Sequence, residues 1–332
     1  MTISRKQQLI WLSFGVSVLL MLLKFVAWWF TGSSAILSDA LESIVNVIAS
    51  GFATYSVYLA AQPRDLNHPY GHGKIEFFSA GLEGVLILLA GIFIIIQAIR
   101  QWIYPEPLQK LDTGIFLLSV TMVVNYVVGY FVQREGMRQA SPSLLADGKH
   151  LQLDALSTLF LLLGVTLVLL TGYDWMDYLI SVVFGILLVF NGFQIARKSA
   201  GSLMDEVDTP TLQQVVEILT EQRKEYWIDV HNLRIQQYGA DLHVDCHLTL
   251  PYYWNLERVH NAVHEFEDVL DEKIDSQVEI FVHADPCLPE CCPHCQVENC
   301  PVRQQLFSNS IFWNQENMVL NQKHFLEAIN KD

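Results

Sequence analysis

The sequence predicts an α-helical membrane protein, six transmembrane helices followed by a small cytoplasmic α/β domain, and three observations carry that expectation. The chain has 332 residues, of which 52% are hydrophobic and only 17% charged, too apolar for an ordinary soluble protein. The apolar excess lies before residue 200, in six runs each long enough for the roughly 20 residues that a bilayer core requires. After residue 200 the composition turns polar, and most of the formal net charge of -15 resides there. A chain this acidic is not expected to bind nucleic acid, since a duplex is held by positive surface.

The runs fall near 9–31, 36–60, 77–102, 112–133, 144–171 and 175–196. The first is longer than the apolar core of a signal peptide and lacks a small-residue cleavage site, so it is expected to remain as a span. Arg5, Lys6, Arg64, Lys74, Arg134, Arg138, Arg197 and Lys198 fall on one side of a six-span arrangement, and only Arg100 and Lys110 between spans on the other. Excess lysine and arginine marks the cytoplasmic side, which predicts a multi-pass protein with both termini cytoplasmic; the bacterial-looking composition and topology give the cytoplasmic (inner) membrane as the expected location.

Beyond the spans, "TPTLQQVVEILTEQ" (209–222) opens on a capping threonine and continues with helical apolar spacing. "DVHNLRIQQYG" (229–239) and "DLHVDCHLTL" (241–250) alternate like paired strands across a Gly-Ala-Asp turn. "NLERVHNAVHEFEDVL" (255–270) reads as helix and "SQVEIFVHAD" (276–285) as a last strand. The chain therefore divides into a transport domain over 1–200, a C-terminal domain over 205–285, and a cysteine-rich, then amphipathic, tail over 286–332.

Polar residues inside the spans point to function. Span two carries Asp39, Glu42 and Asn46, span three Glu83, and span five Asp147, His150 and Asp154. A charge at a helix centre costs roughly 2.5–3.5 kcal/mol on insertion scales, so these groups must meet one another, water or a cation inside the bundle. Glu42 and Asn46 are one turn apart and share a face, as do His150 and Asp154. Facing pairs would offer three oxygens and one nitrogen, enough for a tetrahedral divalent metal. The other reading is hydrogen bonding between helices with no ligand.

The stretches "SDALESIVNVIAS" (38–50), "NHPYGHGKIE" (67–76) and "ADGKHLQLDALS" (146–157) together resemble the cation diffusion facilitator family, over about residues 8–287. The resemblance implies a homodimeric antiporter that exports a divalent metal from the cytoplasm in exchange for protons, with Glu42, Asn46, His150 and Asp154 as the transport site. Family members that move zinc or iron usually carry His or Asp, three residues, then Asp in span two, where this chain has Glu42 and Asn46. His150 favours zinc, iron, cobalt or manganese, whereas the oxygen-rich balance leaves a magnesium-selective member open as the alternative. Glu83 is a further candidate for the proton path or for support of the site.

The family's loop site maps to Asp65, His68 and His72; the bland reading is a turn shaped by Pro69, Gly71 and Gly73 with exposed histidines. Lys74 and Asp205 resemble the family's interlocking salt bridge near the dimer interface. The C-terminal domain resembles a metallochaperone-like αββαβ fold, with His231, His247, His260, His283 and Asp285 at the regulatory metal positions; a dimerisation domain with bystander histidines is the alternative. Cys287, Cys291, Cys292, Cys295 and Cys300, with His294 among them, go beyond the family pattern and suit zinc or another soft metal, or else a set of reduced thiols. Zinc is the leading metal, as substrate and as ligand of the C-terminal domain, and no catalytic cofactor is expected. The H-E-x-x-H helix of a metalloprotease is absent, so no enzyme is expected. A metal sensor without transport would need only the C-terminal sites, which leaves the polar pairs of spans two and five without a purpose.

Overall fold

The computed structural model describes residues 5–31, 34–104, 112–171, 173, 175–274 and 277–326; the side chains of Asp39 and Glu42 lie outside the described residues. The chain forms two compact units, Met1–Met204 and Asp205–Asp332.

Each apolar run becomes a helix in the first unit: α1 (Arg5–Thr31), α2 (Ser34–Ala60), α3 (Ile75–Ile103), α4 (Asp112–Arg138), α5 (Pro142–Thr171) and α6 (Trp175–Leu203). They have 27–30 residues each, hence about 40–45 Å at 1.5 Å per residue, which exceeds a bilayer core of about 30 Å. Among the described residues, four stretches are long and apolar enough to cross a membrane: Arg5–Val26, Ser43–Ala60, Ile75–Ile103 and Tyr178–Leu203. In α5 the polar run Asp147, Lys149, His150 and Asp154 interrupts the apolar pattern.

Helices in lipid gain nothing from hiding apolar side chains, so small residues and interhelical hydrogen bonds decide their packing. A methyl group on Gly84 of α3 would come within 2.6 Å of the Ala196 amide nitrogen of α6, and one on Gly192 of α6 within 2.5 Å of the Leu88 nitrogen. On the other pair, a methyl on Gly148 of α5 would meet the Gln133 nitrogen of α4 at 2.4 Å. These backbones touch only because glycine stands at the contact. Polar groups tie one end of the bundle. Glu76, 1% exposed, receives hydrogen bonds from Lys6 and Ser141, and Arg5 lies 3.5 Å from Glu135. The starts of α1, α3 and α5 and the end of α4 therefore share that end, as an up-and-down bundle requires.

The second unit runs α7 (Thr209–Glu221), β1 (Asp229–Tyr238), β2 (Asp241–Leu250), α8 (Leu256–Lys273) and β3 (Val278–Pro286). Asp208 caps α7 by accepting from the Thr211 amide, and Asn255 caps α8 by accepting from the Arg258 amide at 3.0 Å. Two residues close the β1–β2 hairpin, and Gly239 takes the positive φ of 70° that such a tight turn favours. The sheet order is β1-β2-β3, antiparallel then parallel. Its inner face (Val230, Val244, Cys246 and Leu248) packs with α7 and α8 through Val215, Leu219, Phe266 and Leu270.

Residues 286–326 are not a separable appendage. A 3-10 turn over Pro289–His294 and the short α9 (Gln315–Met318) follow β3, and Trp313 and Met318 enter the same core, 1% and 0% exposed. A few apolar residues spaced through a polar stretch leave no periodicity to read, which is why composition alone draws a boundary there.

Candidate metal sites

Three spans meet at the polar group inside the bundle. Asn46 of α2 donates from Nδ2 to Asp154 Oδ2 of α5 at 2.8 Å, and His150 Nε2 stands 3.6 Å from Asp154 Oδ1. Ligands bonded at roughly 2.0–2.2 Å to one tetrahedral metal stand about 3.4 Å apart, so this is the spacing of neighbouring ligands. The other imidazole nitrogen, Nδ1, pairs with Glu83 Oε2 of α3. A carboxylate on the far nitrogen is the usual support of a metal-binding histidine, because it fixes the tautomer and aims the ring. Glu83 is 1% exposed, and its Oε1 has no hydrogen-bond partner among the described residues. Gly84, pressed against α6, holds α3 in the rotation that points Glu83 this way. Asp147, 2% exposed, is bound by Ser13 Oγ of α1 at 2.6 Å. The side chains of Glu42 and Asp39, expected beside this group, lie outside the described residues.

The loop between α2 and α3 gathers Asp65, His68 and His72, whose ligand atoms all lie within 4.8 Å of one another. The amides of His68 and Asn67 donate to Asp65 Oδ1 at 2.7 and 2.8 Å, and the His68 amide above all holds this carboxyl below its usual range. His72 Nε2 lies 3.4 Å from Asp65 Oδ2. Gly71, at φ 87°, makes the turn that brings the two imidazoles to a 4.4 Å ring separation. Lys74 precedes α3 and accepts from the Phe77 amide at 3.1 Å. Asp205 opens the second unit with a left-handed φ of 60°.

In the second unit the strand register makes the site. His231, His247 and His283 are direct cross-strand neighbours, and Asp285 follows His283 by two residues, so all four project from the outer face. Asp285 is the hub: His231 Nε2 lies at 3.3 Å, His247 Nδ1 at 3.4 Å and His283 Nε2 at 3.5 Å. His231, His247 and Asp285 form the tight group. Burial lowers the pKa of His247, which favours the neutral, ligating form. His260 lies on α8, exposed, with its ring 4.8 Å from His264, and is not a member of that group.

Three residues here escaped the sequence reading. Asp229, fully buried, lies 3.3 Å from His231 Nδ1 and bonds His324. Burial pushes its carboxyl up, but the His231 and His324 imidazoles outweigh that and hold it down at about 2. Lys323 Nζ comes within 3.6 Å of Asp285. The signal for Asp229 was its place two residues before His231 on the same strand face; His324 and Lys323 are distant in sequence and gave none. The cysteines Cys287, Cys291, Cys292, Cys295 and Cys300 line one cavity beyond β3.

Apolar helices enclosing ionisable side chains that no lipid-facing position would tolerate are the build of a membrane protein that moves ions. A profile of the cation efflux transmembrane domain matches residues 10–204, and one of the cytoplasmic domain of cation efflux proteins matches residues 207–287. An uncharacterized transporter of Synechocystis sp. is 33% identical over 275 residues, 83% of this chain and 88% of the relative. The cation-efflux pumps FieF of Escherichia fergusonii and Escherichia coli K12 are 28% and 27% identical over 279 residues, 82% of this chain and 90% of each pump. The chain belongs to the cation diffusion facilitator family: it is a cation efflux transporter, not an enzyme, with a transmembrane domain followed by a cytoplasmic one.

Proposed function

We propose that this transporter exports a divalent cation of the zinc, iron, cobalt or manganese class from the cytoplasm by proton-coupled antiport, as a homodimer in the cytoplasmic membrane with both termini inside. The observation that carries the reading is the Asn46–Asp154–His150–Glu83 chain across α2, α3 and α5. An imidazole ligand favours these metals over magnesium, which prefers oxygen and keeps its waters. Glu42 is assigned as the fourth ligand by its place one turn from Asn46.

The same chain supplies the exchange. With Glu83 holding the proton on His150 Nδ1, Nε2 has a lone pair for metal. A proton arriving at Nε2 occupies that lone pair, and the imidazolium then bridges Glu83 and Asp154. Metal and proton thus compete for one atom. Rocking of the bundle between inward and outward openings converts the competition into antiport. On the cytoplasmic side, the loop site of Asp65, His68 and His72 collects the ion, and metal at His231, His247 and Asp285 tightens the dimer. Lys74 and Asp205 are assigned to the interlocking salt bridge near the dimer interface.

The test is pH-gradient-driven flux into sealed vesicles holding the purified chain, with zinc, iron, cobalt, manganese and magnesium compared. Zinc uptake that collapses with the gradient is expected; flux indifferent to the gradient, or magnesium alone, overturns the reading. Asn46→Asp is expected to bind zinc roughly tenfold more tightly at pH 8 and to lose that advantage towards pH 6. The new carboxylate would stand where Nδ2 now lies 2.8 Å from Asp154. Two carboxylates that close share a proton unless a cation separates them. The attraction to a dication, about 4 kcal/mol per unit charge pair at 4 Å and an effective dielectric of 20, is offset in part by desolvation. Equal affinities at pH 8 would mean that Asn46 does not face the metal.

A further inference from the structure

Five cysteines fall in the 14 residues from Cys287 to Cys300, beginning where the match to the family's cytoplasmic domain ends. No three of their sulfurs lie within 4.8 Å of one another, so a metal would have to draw them together, but they share one pocket. Cys287, Cys291, Cys292, Cys295 and Cys300 all line one cavity, closed by Tyr252 and Arg303. At about 30 Å³ it has room for an ion or a compact inorganic cluster and is far below the roughly 300 Å³ at which pockets for organic ligands begin.

The surroundings are those of sulfur acting as an acceptor. The Leu288 amide donates to Cys291 Sγ at 3.1 Å, the Tyr252 amide to Cys287 Sγ at 3.4 Å and the Gln304 amide to Cys292 Sγ at 3.5 Å. A neutral thiol is a weak acceptor, whereas metal-bound sulfur carries charge that such donors stabilise. Arg303 wraps the loop by donating to the carbonyls of Cys292, Cys295 and Val297 at 2.9, 3.0 and 2.6 Å, and it brings a positive charge to the rim. His294 is turned away, with Nδ1 2.9 Å from the Asn309 carbonyl, and is not among the residues that line the cavity, which leaves the five thiols as its metal-ligating groups. Little regular structure supports the loop: only the 3-10 turn Pro289–His294 lies between β3 and α9.

We propose that this cavity is a structural metal site, formed by four of its five cysteines, that takes a soft metal as a single zinc ion or as an iron–sulfur cluster. Both are held by four thiolates, and both release thiol protons on binding. The site is separate from the histidine and carboxylate groups and does not depend on the transport reading. Its role is to staple residues 287–303 against the sheet, where Ile228 packs with Cys291, Cys295 and Phe325.

The experiment uses the full chain, purified without oxygen, with zinc, iron and acid-labile sulfide measured per chain. The parent is expected to carry about one zinc, or iron with matching sulfide, that survives His231→Ala/His247→Ala and is lost in Cys291→Ser/Cys295→Ser. Zinc assigns a mononuclear site, and iron with sulfide a cluster. In case the cysteine variant fails to fold, alkylation of the parent in native buffer decides: four of the five cysteines are expected to resist the reagent in the loaded protein and to react after a chelator alone strips the metal. The proposal is overturned if the folded cysteine variant keeps the full metal complement, if the parent carries no metal beyond what the histidine variant loses, or if the cysteines react equally before and after stripping.

Discussion

Asp154→Ala is expected to reduce pH-driven zinc flux at least a hundredfold while leaving membrane insertion and the cytoplasmic unit intact. Asp154 is the residue on which the transmembrane site converges: Oδ2 accepts from Asn46, and Oδ1 stands one ligand spacing from His150 Nε2. Removing it takes one full charge from beside a dication in a place shielded from bulk water. Each opposite unit charge there is worth about 4 kcal/mol at 4 Å and an effective dielectric of 20. The desolvation that the carboxylate no longer suffers returns part of this, and a remainder of about 3 kcal/mol corresponds to a hundredfold in affinity. The variant also removes the proton-loaded bridge between Glu83 and Asp154, so coupling falls with binding. Zinc-dependent flux in sealed vesicles is the measurement, with unchanged thermal unfolding of the cytoplasmic unit as the control. Flux within threefold of the parent would show that Asp154 is only a tie between α2 and α5.

Which parts of this were legible in the sequence follows from the range of the interactions involved. The spans were readable because lipid demands a continuous apolar run, and the αββαβ order because helix and strand have different periods. His150 with Asp154 is a local pattern on one helix. Glu83 was legible only as an ionisable residue in the wrong solvent. Its direction depends on Gly84 and Gly192 pressing α3 onto α6, and an apolar helix in lipid has no polar face from which rotation can be read. In the cytoplasmic unit, alternation along β1 and β2 put the histidines on a common face. The cross-strand row His231, His247 and His283 needed the register, which is set by the Gly239 hairpin and by the pairing of β2 with β3. Asp229, Lys323 and His324 complete that site through contacts spanning most of the unit, beyond any local pattern.

Truncation after Asp285 is expected to unfold the cytoplasmic unit, not merely to remove metal-binding capacity. Residues 286–332 supply Trp313 and Met318 to the main core and Phe325 to the cluster around Ile228. Arg223 stacks on Trp313 at 4.0 Å, and the Asn232 amide, at the bulge in β1, donates to the Leu320 carbonyl at 2.7 Å. His324 covers the buried Asp229. Losing a buried tryptophan costs about 3–5 kcal/mol and a buried methionine about 2–5 kcal/mol. Together these rival the roughly 5–15 kcal/mol that holds a typical domain. Uncovering Asp229 and His231, 0% and 4% exposed, brings solvent to two buried ionisable groups. The fragment 205–285 should therefore lack a cooperative thermal transition that the fragment 205–332 shows by circular dichroism, and Trp313→Ala alone should lower that transition by roughly 10–20 °C. A fragment 205–285 that melts within a few degrees of the longer one would mean that the αββαβ core holds without its cover, and that Trp313 contributes little more than contact area.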